Sequence, residues 1–162
     1  MILVGDEQKI IRQVGKQFKN GGSEMSGEKA LHRGAGMIRI KRVYSECSPK
    51  DGVRILVDRV WPRGLSKEQA RIAEWRKDLA PSTALRKWFG HDPAKWTRFR
   101  ARYRKELAEF GGIDALRELA KRARHETITL VYGAADEQHN QAVALKEFVD
   151  QLSNKHVLQE EE

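Results

Sequence analysis

The sequence predicts a single layered α/β domain, with a small, mainly parallel sheet flanked by helices. Three observations carry the prediction. Segments of strand length and strand pattern, at Met37–Tyr44, Val53–Val60 and Thr127–Tyr132, alternate with segments whose apolar residues have helical spacing. Two of those runs, around V-R-I-L-V and T-I-T-L-V-Y, are apolar nearly throughout, as in strands covered on both faces. Capping and turn residues fall between the segments.

Taken in order, residues 1–36 differ from the rest of the chain. Ile2, Leu3, Ile10, Ile11, Val14 and Phe18 would give one weakly amphipathic helix over roughly 6–19. N-G-G-S-E-M-S-G-E-K then reads as a linker, and Gly34–Gly36 as a second break, so 1–36 is an N-terminal extension and 37–152 the domain. Met37–Tyr44 alternates apolar and basic residues, as a half-exposed strand near a sheet edge does. Ser48–Gly52 is a turn, and Val53–Val57 a central strand. Ser66 caps a short helix, Lys67–Arg71, and Ile72–Leu79 is a third strand or a continuation of that helix, with the strand favoured. Ser82 caps the next helix, Thr83–Phe89, which Gly90 ends. Asp92 and Pro93 restart it at once, placing Trp96, Phe99, Tyr103, Leu107 and Phe110 on one stripe. Gly111-Gly112 closes that helix, and Ile113–Arg124 is the next, with Leu116, Leu119, Ala120 and Ala123 inward. After the strand Thr127–Tyr132 and a turn at Gly133–Asp136, a last helix spans Glu137–Leu152. Residues 153–162 form a polar C-terminal tail.

Bulk properties narrow the classes. A chain of 162 residues with 40% hydrophobic content can bury a core, which excludes a wholly disordered chain. The single cysteine, Cys47, excludes an intramolecular disulfide and fits a reducing compartment. No apolar run approaches the roughly 20 residues that cross a bilayer, so the expectation is a cytoplasmic protein with no membrane partner. The net charge of +8 favours anionic partners, or simply a solvated basic surface.

K-R-V-Y (Lys41–Tyr44), D-G-V-R-I-L-V-D-R-V-W-P-R-G (Asp51–Gly64), A-P-S-T-A-L-R-K-W-F (Ala80–Phe89), Y-G-A-A-D (Tyr132–Asp136) and H-N-Q-A (His139–Ala142) occur in this order across Met37–Leu152. Together they resemble the YeaO-like family, the bacterial domain of unknown function 488. The resemblance implies a small cytoplasmic bacterial α/β protein and brings no activity with it.

Ligands of open parallel sheets bind beyond the carboxyl ends of strands. Two such ends are identifiable, Asp58-Arg59-x-Trp61-Pro62-Arg63-Gly64 and Tyr132-Gly133-x-x-Asp136, and adjacent strands would put both loops on one rim. Arg59, Arg63 and Arg86 would then bind an anion, since guanidinium matches carboxylate and phosphate. Trp61, Tyr132 and Asn140 would line the pocket, and Asp58, Asp136 and His139 are the acid/base candidates. Each residue also has a structural reading: Asp136 as a cap, Asp58 as an ion-pair partner, Trp61 as core. No H-E-x-x-H, Walker loop, G-x-G-x-x-G or G-x-S-x-G occurs, so no metal site is expected, the hydrolase, P-loop and dinucleotide readings lose weight, and the residues name no cofactor.

The alternative is a nucleic-acid-associated protein using the basic helix 94–110, where Lys95, Arg98, Arg100, Arg102, Arg104 and Lys105 surround the apolar stripe. A third option is a subunit-interaction module built on the N-terminal helix. The residues fix no oligomeric state.

Overall fold

A computed structural model describes residues 36–159, with side chains through Lys155. The helix expected over 6–19 and the last residues of the tail lie outside the described residues. Four strands form one sheet: β1 (Ile38–Arg42), β2 (Val53–Leu56), β3 (Glu74–Trp75) and β4 (Ile128–Tyr132). Their order is β1-β4-β2-β3, and every neighbouring pair is parallel. The α-helices among the described residues are α1 (Lys67–Ala70), α2 (Thr83–Phe89), α3 (Trp96–Glu109), α4 (Gly112–Arg122) and α5 (Gln141–Gln159).

The sheet owes its order to burial. All five residues of β4 are buried, and it lies between β1 and β2. β1, with its alternating basic residues, takes an edge as its pattern predicts. Side chains alternate between the two faces. Ile128, Leu130 and Tyr132 join Ile55 and Val57 in the main core, against apolar residues of α2 to α5. Val131 turns to the other face, where Val43, Ala70, Trp61, Leu65 and Ile72 form a smaller cluster. Among the described residues, one face therefore carries the four longer helices, and the other α1 and its loops.

A buried polar network sits on that thinner side. Arg54, 4% exposed, pairs with Asp51 at 2.6 Å and donates to the Ala70 carbonyl, while Thr129 donates to the Asp51 carbonyl at 2.6 Å. Burial works to raise the Asp51 pKa. The Ser48 N–H, Lys41 and Arg54 outweigh that and hold it below the ordinary carboxylate value. At Gly52, φ is 63° and a Cβ would stand 2.1 Å from the Thr127 carbonyl oxygen, so glycine lets β2 approach β4.

Four expectations are corrected. The third strand over Ile72–Leu79 shrinks to Glu74–Trp75. A 3₁₀ turn then takes Lys77–Leu79, because Leu79 is drawn into the core and its carbonyl accepts from the buried Tyr103 hydroxyl. Phe110 is not a core residue: α3 ends at Glu109, the chain reverses at Gly111 with φ 77°, and Phe110 is left 82% exposed. The last helix starts at Gln141 rather than Glu137. Asn140, which is buried, accepts from the backbone N–H groups of Ala142 and Val143 and is the true cap. That helix also continues past Leu152 to Gln159.

Candidate functional site

Adjacency of β2 and β4 decides the site. Val53–Leu56 is in register with Ile128–Val131, and the Val57 N–H extends the pairing to the Val131 carbonyl at 3.1 Å. The next residue on each strand end meets the other: Asp58 Oδ2 accepts from the Gly133 N–H at 2.9 Å. A Cβ on residue 133 would sit only 2.9 Å from that oxygen, so glycine suits the contact. Asp58 Oδ1 accepts from the Gln141 side-chain amide at the start of α5. One carboxylate thus ties together β2, β4 and α5. The Asp58 carbonyl also accepts from the Trp75 indole N–H at 2.8 Å.

Beside Asp58 opens a cavity of about 180 Å³. Its apolar wall contains Phe89 and Phe99, stacked with centroids 4.2 Å apart, together with Pro81 and Ala134. Arg59, Arg86 and His91 complete it with Asp58 and Gln141. Arg59 reaches the cavity by donating from Nε to the Pro81 carbonyl at 3.1 Å, across the loop that leads into α2. Arg86 projects from the middle of α2, whose first turn is capped by Ser82. His91 follows the Gly90 cap and has φ 55°, a left-handed conformation that costs a non-glycine residue of order 1–2 kcal/mol. Its ring meets Phe89 edge-on at 5.8 Å. Backbone strain of this kind collects in the walls of binding sites.

The electrostatics are unequal. Burial is the largest influence on Asp58 and pushes its pKa up to about 6, against the opposing pull of the Gly133 N–H, Arg86, Gln141 and His91. Two guanidinium groups, and His91 when protonated, therefore face a single carboxylate that resists ionisation. The cavity carries excess positive charge.

Of the nine candidate residues, Asp58, Arg59 and Arg86 line this cavity. The other six do not. Trp61 lies on the thinner face of the sheet, donating to the Leu65 carbonyl at 2.7 Å and meeting Trp75 edge-on at 5.3 Å. Arg63 is exposed, and its carbonyl accepts from the Tyr44 hydroxyl at 2.9 Å. Tyr132 is core, with burial raising its pKa. Asp136 closes its own turn, with Oδ1 accepting from the Gln138 and His139 N–H groups and Oδ2 lying 3.0 Å from His139 Nδ1. Those backbone donors hold its pKa below the ordinary value. The His139 ring stands edge-on to Trp96 at 5.4 Å, and Asn140 caps α5.

Sequence reasoning misses Gln141 and the aromatic wall. Gln141 has no charge or ring to mark it, although it lies inside H-N-Q-A. His91 is marked only by the abrupt F-G-H-D-P corner.

The basic face of α3 is largely engaged within the fold. Arg100 pairs with Glu147 at 2.8 Å, Arg104 donates to Gln151 at 2.9 Å, and Arg102 lies over the Trp88 ring at 4.0 Å. Among the described residues, no group of three or more His, Cys, Asp or Glu is placed to hold a metal ion, and no helix is long and apolar enough to cross a membrane.

Comparison with known proteins adds the family. A family model described as the inactive DUF488-N3 subclade matches residues 37–162. The chain is 39% identical over 115 residues to the uncharacterized protein YeaO of Escherichia coli strain K12, covering 71% of this chain and 98% of that protein. It is 43% identical over 86 residues to the uncharacterized protein Rv3073c of Mycobacterium tuberculosis strain H37Rv, covering 53% of this chain and 73% of that protein. No solved structure matches the chain.

Proposed function

The chain belongs to the YeaO-like family of the bacterial domain of unknown function 488, in its inactive DUF488-N3 subclade, and we propose that it binds a small anionic ligand without turning it over. The observation that carries this reading is the positively charged cavity beyond the carboxyl ends of two adjacent parallel strands, with Arg59 and Arg86 facing one reluctantly ionised carboxylate. Guanidinium groups pair with carboxylates and phosphates in a planar, two-pronged fashion. The aromatic wall supplies an apolar side for the body of such a ligand.

Three features favour retention over chemistry. Both Asp58 oxygens already hold hydrogen bonds that join β2, β4 and α5. Among the described residues, no serine, threonine, cysteine or lysine lines the cavity to act as a nucleophile. The description of the subclade as inactive agrees with both. Asp58 is then a ligand-sensing strut, and Asp136 and His139 hold the turn that carries α5 toward it.

The test is a thermal-shift series with inorganic phosphate, phosphomonoesters and small carboxylates. A ligand at a hundred times its Kd should stabilise the wild type by about 2.7 kcal/mol. Arg86→Gln should fold normally, being an exposed substitution, and lose that stabilisation. Arg63→Ala, outside the cavity, should retain it. Equal stabilisation of wild type and Arg86→Gln by every anion would refute the assignment.

A further inference from the structure

A second basic site lies away from that cavity. Arg117 and Lys121 on α4, Arg124 just past its end and Lys155 on α5 surround a groove of about 480 Å³, floored by Ala120 and Leu152. We propose that this groove docks the phosphate backbone of nucleic acid.

The arrangement follows from helix geometry. Arg117 and Lys121 are four residues apart and so lie on one face, about 6 Å apart along the axis. Arg124 extends the row by roughly one further turn, and Lys155 faces it from α5. Lys121 and Arg124 form no ion pair with any described residue. Nearby acids are engaged elsewhere: Glu74 and Glu126 meet Arg122 at 2.9 and 2.7 Å. Asp114 meets Arg117 at 2.9 Å, but both side chains are solvent-exposed, and such a pair exchanges readily for another anion. The basic residues of α3 contrast with these, since three of them are held by Glu147, Gln151 and Trp88.

The groove favours a polyanion over a protein. Its floor offers one alanine and one half-buried leucine, where a protein interface would bury a larger apolar centre. It contains no aromatic ring on which a base could stack. Contact is thus with phosphates, and binding is independent of sequence and steeply dependent on salt.

The experiment is fluorescence anisotropy of the full chain with a labelled mixed-sequence duplex. One phosphate contact for each of the four cations predicts a log–log salt slope near −3.6, or about a 150-fold loss of affinity between roughly 50 and 200 mM salt. Lys121→Glu/Arg124→Glu should weaken binding at least about tenfold at the lower salt and flatten the slope. Lys121→Gln/Arg124→Gln should do so in smaller measure, and serves if charge reversal perturbs folding. Arg98→Glu/Lys105→Glu on α3 should leave binding near wild type. Absent binding at low salt, binding unchanged in both groove variants, or loss confined to the α3 variant would overturn the proposal. So would poly-glutamate competing as well as DNA of equal charge, which would mark an acidic protein as the partner.

Discussion

Replacing Asp58 by asparagine keeps the shape of the side chain at the junction of β2, β4 and α5 but removes its charge. The new amide oxygen can still accept from the Gly133 N–H, and Gln141 can turn its own amide to offer an oxygen to the new NH₂. The consequence lies in pH dependence. In the native state Asp58 titrates at about 6, against 3.8 ordinarily. A raised native pKa means that the native state holds the proton where the unfolded chain has released it. Stability from this group is therefore complete below about pH 4 and is lost as pH rises through 6. The full loss is about 3 kcal/mol, from 1.36 kcal/mol per tenfold change in proton affinity. Urea denaturation of wild type and Asp58→Asn between pH 4.5 and 7.5 should show the variant gaining on the wild type as pH rises. Most of the gain should fall below pH 6.5. Over this pH window the difference should change by about 2 kcal/mol, so with a urea slope of about 1.5 kcal/mol/M the relative midpoint should move by roughly 1.3 M. Other titrating groups cancel in the difference. A difference that stays constant across this range would refute the reasoning, because Asp58 would then titrate alike in both states. The same linkage couples pH to binding: an anion beside Arg59 and Arg86 favours protonated Asp58, so affinity should rise as pH falls toward 6.

Two further perturbations test the frame around the cavity. Asp51→Ala leaves Arg54 buried without its carboxylate and should cost about 3–5 kcal/mol in urea denaturation. Its pH signature opposes that of Asp58: the native pKa of Asp51 is depressed, so the stability it supplies is present above about pH 4 and lost on acidification. Gly52→Ala drives a Cβ toward the Thr127 carbonyl at a positive φ and should destabilise by more than about 1 kcal/mol, read as a lowered urea midpoint. Near-wild-type stability in that variant would mean that β2 can move away from β4.

The strands are legible in the sequence because burial on both faces leaves little choice of residue. V-R-I-L-V and I-T-L-V-Y are such runs, and they prove to be neighbours, as a shared rim requires. The loop after a strand is harder to read. Asp58-Arg59-x-Trp61-Pro62-Arg63-Gly64 looks like one loop in sequence, yet Asp58 and Arg59 join the cavity while Trp61 packs on the far side of the sheet. No periodicity governs side-chain direction once the ladder ends. The start of α5 is obscured for a similar reason. Asp136 and Asn140 are both good caps four residues apart, and the buried Asn140 carries the helix while Asp136 closes the turn before it. Arg63 and Arg86 are indistinguishable by residue type. Only the packing of α2 over the β2–β4 end separates them, and that depends on tertiary contacts such as the Arg59 bond to Pro81. The basic stripe of α3 is visible, but its partners on α5 lie 47 residues away in the chain. The groove row, Arg117, Lys121 and Arg124, is legible in its spacing alone, and acquires its facing cation only when α5 packs beside α4.

The most direct test of the anion-binding assignment is a ¹⁵N NMR titration of the full chain with inorganic phosphate near pH 6, the region where Asp58 takes up its proton. The predicted result is saturable shifts in the Arg86, His91, Gly133 and Ala134 backbone signals and the Gln141 side-chain amide, all abolished in Arg86→Gln. Shifts confined to Arg117, Lys121 and Arg124, or none at millimolar phosphate, would contradict it.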